Sequence, residues 1–181
     1  MIYGYLIKWK KSEKPWQEIL GDLMKKYHQT EKCPEILKDE MGKPYFPGNP
    51  FYFNVSHSGE YLALAISKEP VGIDLQKIKA VKAGMYPKVV RPSEEALIGP
   101  ERKRDFIRLW TLKESFVKAE GKGLRIPMRD YHFIKEKEDY FVFWGGQKQP
   151  WTFSIEETLL GDYIVSVCGM EKEVSWSVEQ E

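Results

Sequence analysis

The chain has 181 residues, of which 42% are hydrophobic and 14% aromatic, so it can bury the core of one compact unit or of two small lobes. Its 28 Lys and Arg and 27 Asp and Glu residues give a formal net charge of +1, which argues against a general nucleic-acid-binding protein. No apolar run approaches the roughly 18 residues of a membrane span, and the N-terminus has no cleavable signal pattern, so we expect a cytoplasmic protein. Cys33 and Cys168 match no metal or redox spacing, which predicts two free thiols.

The first part of the chain predicts an α+β unit. A strand over residues 2–9 precedes a helix over 16–27, in which apolar residues repeat at helical spacing. A loop rich in glycine and proline over 42–50 contains the sequence Gly42-Lys43-Pro44-Tyr45. After this loop we predict three strands, over residues 51–55, 61–67 and 71–75.

The second part predicts another α+β unit. Ser93 and the acidic residues after it suit the start of a short helix, and a long helix follows over about 101–120. Gly121 and Gly123 suit the end of that helix, where a left-handed backbone is needed. Further strands are predicted around 132–134, 140–144, 151–156 and 163–168, with glycine-containing turns between them.

The end of the long helix carries charged residues at unusual positions. With about 100° per residue, Lys113 lies roughly −100° from Glu114, inside an arc of apolar side chains. That arc contains Phe106, Leu109, Trp110, Phe116 and Val117. Lys118 lies four residues after Glu114, on the same edge of the arc. A buried lysine needs an anionic partner or a shifted pKa, and the helix alone leaves open a snorkelling lysine beside an ordinary Glu–Lys pair.

Two predicted strands also carry polar residues that suggest a site. Ser56, His57 and Ser58 come at a strand end, where hydroxyls, an imidazole and backbone amides can surround a phosphate, although a short turn is an alternative. Asp74 shares one face of the next strand with Gly72, which suggests close approach by a ligand or metal. A strand-end aspartate in water remains the alternative for Asp74.

Together and in this order, these segments resemble the 4'-phosphopantetheinyl transferase superfamily, in particular the single-chain type that activates peptide synthetases such as surfactin synthetase. The resemblance covers most of residues 42–125 and continues loosely into the C-terminal strands. It implies an α+β fold of two similar halves, residues 1–77 and 78–181, related by a pseudo-twofold axis. The active site is then expected in the cleft between the halves of this pseudo-dimer, which we expect to be a monomer.

The resemblance also implies a reaction. The enzyme is expected to transfer the 4'-phosphopantetheine arm of coenzyme A to a serine of an apo acyl or peptidyl carrier protein, with release of adenosine 3',5'-bisphosphate. Such a holo-carrier synthase depends on Mg²⁺ and serves fatty-acid or secondary-metabolite biosynthesis. The sequence does not name the carrier, and the compact stretch over 80–92 leaves carrier selectivity open.

Site residues follow from the resemblance, position by position. The expected metal ligands are Asp74, Glu114 and Gln76, with Gln76 standing where this type usually has glutamate and therefore binding weakly or through water. The expected coenzyme A contacts are Lys43, Pro44, Ser56, His57, Lys113 and Lys118, with His57 near the 3'-phosphate. The expected catalytic residues are Glu114, Lys118 and Glu94, of which Glu94 would help to deprotonate the serine.

Two other functions use the same residue types. Gln76 is compatible with a catalytically weakened protein that binds coenzyme A or docks a carrier. Asp74, Glu114 and Lys118 also occur in metal-dependent nucleases, but the balanced charge does not suggest the broad basic groove of such enzymes. We therefore expect neither a nucleic-acid partner nor a membrane partner.

Overall fold

The computed structural model describes residues 1–10, 14–48, 50–122 and 126–179 and contains both strands and helices, with the strands in runs between the helices. The strands are β1 (Ile2–Lys8), β2 (Leu37–Lys38), β3 (Pro44–Tyr45), β4 (Tyr52–Ser58), β5 (Tyr61–Ser67), β6 (Gly72–Lys77), β7 (Tyr131–Glu136), β8 (Asp139–Trp144), β9 (Gln147–Lys148), β10 (Thr152–Glu156), β11 (Tyr163–Gly169) and β12 (Val174–Glu179). The α-helices are α1 (Trp16–His28), α2 (Tyr86–Val89) and α3 (Arg102–Glu120), and short 3-10 helices cover Ala83–Met85 and Pro92–Leu97. The fold is therefore of the mixed α/β type.

A four-stranded sheet in the order β12-β1-β5-β4 carries α1 on one face. Alternate residues of β1 point to opposite faces, so Tyr5 and Ile7 pack towards α1 while Ile2 and Leu6 pack on the other side. Because both faces are covered, the strand is apolar almost throughout.

A three-stranded sheet in the order β10-β11-β6 packs against the uncovered face of the first sheet. Ile73 and Leu75 of β6 face this junction. The opposite face of the same sheet receives α3, which also packs against β7 and β8. The helix is thus covered on several sides, which explains why it is apolar over a wide arc.

Two strand pairings join the predicted parts of the chain on either side of residues 77 and 78. β6 pairs in antiparallel fashion with β11, and β12 pairs in parallel with β1. Each of the two larger sheets therefore contains strands from both parts of the chain.

Side chains of β4 take the place of a neighbouring strand along β6. The Asn54 Oδ1 atom accepts a hydrogen bond from the Ile73 amide at 2.9 Å, and the Ser56 Oγ atom accepts one from the Leu75 amide at 3.1 Å. Ser58 Oγ does the same for the Lys77 amide at 3.0 Å. The edge amides of β6 are thereby satisfied, which a buried backbone requires.

Gly72 allows α3 to approach β6 closely. A Cβ atom at this position would lie 2.1 Å from the Ser115 carbonyl oxygen and 2.4 Å from the Ala119 nitrogen. The glycine beside Asp74 therefore makes room for the backbone of a helix. The sequence predicted that the glycine makes room for a ligand or metal, and at Gly72 itself that prediction is wrong.

Most predicted elements are present, with some differences at the ends and in the short segments. The first strand ends at Lys8, and the strand that contains Ser56 extends to Ser58. Gly121 ends α3 with φ of 71°, as predicted, whereas Gly123 lies outside the described residues. α2, β12 and the two-residue strands were not predicted from the sequence.

Both cysteines are free thiols, as predicted. Within the described ranges, no helix combines the length and apolar character needed to cross a bilayer.

Candidate active site

Asp74 and Lys118 form an ion pair where α3 crosses β6. The Lys118 Nζ atom lies 2.7 Å from Asp74 Oδ1 and also donates to the Ile73 carbonyl oxygen at 3.0 Å. Asp74 is only 2% exposed. The pair places a buried carboxylate and a partly exposed ammonium side by side at the junction of helix and sheet.

Asp74 accepts hydrogen bonds from two further side chains. Ser56 Oγ donates to Oδ1 at 3.0 Å, and Gln76 Nε2 donates to Oδ2 at 3.3 Å. The stronger contacts all fall on Oδ1. Oδ2 has the longer hydrogen bond and is the oxygen more easily released to another ligand.

Glu114 is the second carboxylate of this cluster. Burial raises the pKa of Glu114, the negative charge of Asp74 raises it further, and Lys118 opposes both effects. Two carboxylates thus share one ammonium, so their mutual repulsion is only partly compensated. A divalent cation between them would remove that imbalance.

The donors present fit Mg²⁺. Carboxylate oxygens are ligands that Mg²⁺ prefers, and it usually keeps several waters and takes only one or two carboxylates from the protein. The Gln76 amide can add an oxygen if it turns away from its present contact. No group of three or more His, Cys, Asp or Glu side chains suited to a metal occurs in the described part of the chain, so substrate oxygens or water would complete the coordination.

A cavity of about 320 Å³ opens beside Glu114 and Lys118. Its lining is mostly apolar and consists of Met41, Gly42, Lys43, Pro44, Asn54, Val55, Glu114, Val117, Lys118, Gly121, Ile126 and Met128. A cavity of this kind, apolar with a few charged groups at one side, is typical of a binding site for a small organic ligand.

Lys43 joins this cavity to the end of α3. Its Nζ atom donates to the Lys118 carbonyl oxygen at 2.5 Å, and burial lowers the pKa of Lys43. A lysine at this place satisfies a carbonyl of the last helical turn, and its positive charge is stabilised by the negative end of the helix dipole. Pro44 lies next to it in the cavity wall.

The structure separates the side chains of Ser56 and His57. Ser56 is buried against Asp74, whereas His57 is exposed and lies on the other face of β4 near Trp9, with 5.5 Å between the ring centroids. Because alternate residues of a strand face opposite sides, the two side chains lie on different faces of β4. The predicted phosphate-binding group at this strand end is thus divided between two surfaces.

Lys113 and Glu94 lie away from the cavity surface. Both side chains are 0% exposed, and Lys113 Nζ lies 2.8 Å from Glu94 Oε2. The ammonium also donates to the carbonyl oxygens of Val89 and Met128, so it has no exposed donor for a phosphate. Burial lowers the pKa of Lys113, and the adjacent carboxylate opposes this shift.

Glu94 is equally occupied. Oε1 accepts from the Phe133 amide at 2.8 Å, and Oε2 accepts from Lys113 and from the Arg91 amide. In this structure Glu94 is therefore not placed to deprotonate a serine, and Lys113 is not placed to bind coenzyme A. The helical arc correctly indicated a buried lysine with an anionic partner, but the partner belongs to the protein.

Several cavity residues were missed by sequence reasoning. Asn54 and Val55 lie in the predicted strand directly before Ser56, and neither carries a charge that would mark it as a site residue. Met41, Ile126 and Met128 are ordinary apolar residues, and only the path of the chain brings them to the cavity. Their sequence contains no signal that could have identified them.

The chain is similar in sequence to known transferases. A sequence model of the 4'-phosphopantetheinyl transferase superfamily matches residues 70–168. The 4'-phosphopantetheinyl transferase gsp of Aneurinibacillus migulanus is 31% identical over 170 residues, which cover 88% of this chain and 71% of gsp. The 4'-phosphopantetheinyl transferase Sfp of Bacillus subtilis is 32% identical over 124 residues, which cover 62% of this chain and 55% of Sfp.

The chain is shorter than these relatives, and in a further transferase of Bacillus subtilis the matched region covers 48% of that protein. A solved structure, holo-[acyl-carrier-protein] synthase of Thermotoga maritima, is similar with a TM-score of 0.48 and 21% identity, covering 57% of this chain and 64% of that one. The superfamily match contains Asp74, Gln76, Glu114 and Lys118 and extends over more than half of the sequence. The chain therefore belongs to the 4'-phosphopantetheinyl transferase superfamily.

Proposed function

We propose that this protein transfers the 4'-phosphopantetheine arm of coenzyme A to a serine hydroxyl of an apo acyl or peptidyl carrier protein, in a Mg²⁺-dependent reaction that releases adenosine 3',5'-bisphosphate. The observation that carries the proposal is the cluster of Asp74, Glu114 and Lys118 beside an apolar cavity, inside the segment that matches the superfamily. A cytoplasmic location and a monomeric state remain predictions.

Asp74, Glu114 and Gln76 would hold the metal. When bound, Mg²⁺ supplies positive charge next to the pyrophosphate of coenzyme A. The protein contributes the positions of the two carboxylates, one on β6 and one on α3, and Ser56 keeps Asp74 in place through its hydrogen bond to Oδ1. Ser56 would thus orient the metal ligand Asp74, in addition to its predicted contact with coenzyme A.

Lys118 provides the cation for the phosphates. Its side chain is 26% exposed and lies at the side of the cavity, so the ammonium can exchange part of its contact with Asp74 for a phosphate oxygen. A preorganised cation that faces developing negative charge lowers the barrier of group transfer. Lys43 and Pro44 would contact coenzyme A in the same cavity, and His57 would meet the 3'-phosphate on the outer surface.

Glu114 is the group available for the serine proton. It lines the cavity, and burial together with the charge of Asp74 raises its pKa, which supports a proton or a cation at this carboxylate. Glu94 does not share this position. The proton of the attacking hydroxyl would pass to Glu114 directly or through water.

A basic groove near Gln76 would receive the carrier. It has an apolar floor that includes Met85, Phe106 and Trp110, and neighbouring cavities of about 480 and 340 Å³ lie along it. The basic residues along the groove are Lys79, Lys82, Arg102 and Lys103. Since no acidic side chain lines these two cavities in the described structure, an acidic amphipathic helix of a carrier is the complementary partner.

The two parts of the chain, residues 1–77 and 78–181, would be related by a pseudo-twofold axis with the site in the cleft between them. The arrangement that supports this is the placement of α1 on one sheet and α3 on the other. The pairing of β6 with β11 and of β12 with β1 would then hold the two halves together as one rigid unit.

The test is transfer from coenzyme A to a panel of apo fatty-acid, polyketide and peptide carriers, followed by mass spectrometry. We expect a mass gain of one phosphopantetheine that requires Mg²⁺. In Asp74→Asn and Glu114→Gln, turnover should fall by at least about 100-fold because each change removes one charged group at the reacting centre. Glu136→Gln, at an exposed site on β7, is the matched control.

Other outcomes would replace the proposal. Coenzyme A binding without a mass gain on any carrier would indicate a binding protein with a weakened site. Metal-dependent cleavage of nucleic acid would indicate a nuclease. Near-normal turnover of Asp74→Asn or Glu114→Gln would contradict the assignment of the metal site.

A further inference from the structure

The buried ion pair between Lys113 and Glu94 connects parts of the chain that are distant in sequence. Lys113 Nζ donates to Glu94 at 2.8 Å, to the Val89 carbonyl oxygen at 2.7 Å and to the Met128 carbonyl oxygen at 2.9 Å. Glu94 in turn accepts from the Phe133 amide at 2.8 Å. One pair of side chains therefore joins α3, the end of α2, the segment before β7 and β7 itself.

This connection reaches the wall of the cavity. Ile126 and Met128 line the cavity beside Glu114 and Lys118. The carbonyl of Met128 is bound by the ammonium of Lys113, whose neighbour in the chain is Glu114. The wall and the carboxylate of the site are thus held to the same turn of α3.

Stability alone does not explain such a pair. Two charges in a dry interior lose their hydration, and a pair of apolar side chains of similar volume is often as stable or more stable. What apolar side chains cannot supply is a set of directed hydrogen bonds to two carbonyl groups and two amides. The geometry of the pair therefore suits the placement of backbone segments.

We propose that Lys113 and Glu94 are positioning residues, which fix the cavity wall formed by Ile126 and Met128 and thereby set the affinity for coenzyme A. The inference rests on the proposed function. Neither side chain touches the substrate. Because the wall is apolar, it contacts the pantetheine arm equally in the ground state and the transition state, and such contacts change KM and leave kcat nearly unchanged.

The experiment compares three variants with the wild type in the full chain. Lys113→Met leaves the Glu94 carboxylate buried without its partner, so it tests the pair but also weakens folding. The double variant Lys113→Met with Glu94→Gln removes both charges, keeps an acceptor for the Phe133 amide and leaves the Met128 carbonyl without its donor. Lys135→Met, at an exposed lysine on β7, is the matched control.

Each variant is measured in four ways: unfolding by urea, coenzyme A binding by calorimetry, KM and kcat of transfer, and hydrogen exchange over residues 126–133. The double variant should recover much of the stability lost in Lys113→Met. Its KM and dissociation constant for coenzyme A should remain raised by about tenfold, kcat should fall by less than about threefold, and exchange of the Ile126 and Met128 amides should be faster. Lys135→Met should match the wild type.

A double variant with wild-type KM, wild-type coenzyme A binding and unchanged exchange would overturn the proposal and leave the pair a role in stability only. A loss of kcat with unchanged KM would also overturn it, because that result would place one of the two groups in the chemistry. If the wild type neither binds coenzyme A nor transfers its arm, the proposed function fails. Hydrogen exchange of the Ile126 and Met128 amides would still decide whether the pair orders this segment.

Discussion

Gln76 is the residue at which the site departs from a fully acidic set of ligands. Its amide donates to Asp74 Oδ2 at 3.3 Å, so the side chain lies on the same face of β6 as the ion pair with Lys118. An amide in this place compensates part of the negative charge of Asp74 without a cation. A carboxylate would instead add to that charge and attract one.

We therefore predict that Gln76→Glu lowers the Mg²⁺ concentration for half-maximal activity on the order of tenfold, since metal affinity follows the charge of the ligands. The same change should weaken folding when the metal is chelated, because two carboxylates would face each other without a cation. Metal titrations of activity and urea unfolding with and without chelator give both values. Gln147→Glu, at an exposed glutamine on β9, serves as the control, and an unchanged metal requirement would show that Gln76 does not face the ion.

Lys113, unlike Gln76, lies away from the proposed metal site, and its burial decides its role. From its position inside the apolar arc of α3 alone, a methionine would be expected to be tolerated there, or even to stabilise the protein. The structure reverses that expectation for the single change, because Glu94 would remain in the core as an unpaired charge. The site of a lysine on a helical wheel thus indicates burial but does not identify the anion.

At the scale of secondary-structure elements, the contact between β6 and α3 determines the site. Gly72 lies two residues before Asp74 on the face that α3 covers, and the helix backbone occupies the space of a side chain there. The ion pair between Asp74 and Lys118 depends on this short separation. A larger residue would have to push the helix away from the strand.

Gly72→Ala is expected to lower the free energy of unfolding by about 1–3 kcal/mol, as overpacking of a tight core contact does. It should also lower turnover by separating Lys118 from Asp74. Gly84→Ala is the matched control, because a Cβ atom there would meet no atom within 4 Å. Urea unfolding and the transfer assay measure both effects, and equal stability of the two variants would contradict the close approach.

A second connection holds α3 to the loop after β10. Arg108 makes a bidentate contact with Glu157, at 2.5 and 3.0 Å, and Arg104 adds a further contact at 3.0 Å. Burial by itself would raise the pKa of Glu157, but the hydrogen bonds and charges of the two arginines outweigh it and lower the pKa below its ordinary value.

This lowered pKa predicts a loss of stability in acid. Above the ordinary pKa of a glutamate the ion pair contributes fully, and as the pH falls towards the lowered value the unfolded chain takes up the proton first, so folding becomes weaker. Glu157→Gln should be less stable than the wild type at neutral pH and should approach it in acid. Urea unfolding over a pH series tests this, with Glu136→Gln as an exposed control; a constant difference between wild type and Glu157→Gln would contradict it.

At the scale of the whole molecule, the two parts of the chain complete each other's sheets. β6 belongs to the first part but pairs with β11, and β12 belongs to the second but pairs with β1. A chain of residues 1–77 alone would leave β6 without its paired strand and the apolar face of Ile73 and Leu75 without the side chains of β11.

We predict that residues 1–77 and 78–181, each produced alone, do not fold cooperatively, and that mixing them restores structure. Circular dichroism and heat or urea unfolding of each fragment and of the mixture provide the measurement. The intact chain is the reference. A cooperative unfolding transition in either isolated fragment would show that this fragment folds without the strand pairings between the two parts.

Local patterns in the sequence predicted much of the fold. The repeat of apolar residues at helical spacing located α1 and α3 to within a few residues, and alternation placed Gly72, Asp74 and Gln76 on one face of β6. β12 was missed although Val174, Trp176 and Val178 alternate with polar residues, because a short strand at an edge is recognised only with its partner. Strand partners lie far apart in the chain, and local patterns do not identify them.

The sequence by itself determined the family, the order of the main elements and the charged residues gathered on one edge of α3, because these depend on residue types and their spacing. Tertiary structure alone decided which charge meets which partner. It placed Lys118 against Asp74, turned Lys113 towards Glu94, separated Ser56 from His57 and brought Ile126 and Met128 to the cavity. The physical reason is that burial and hydrogen bonding depend on which segments pack together, and side chains with the same periodicity can meet a substrate or another part of the protein.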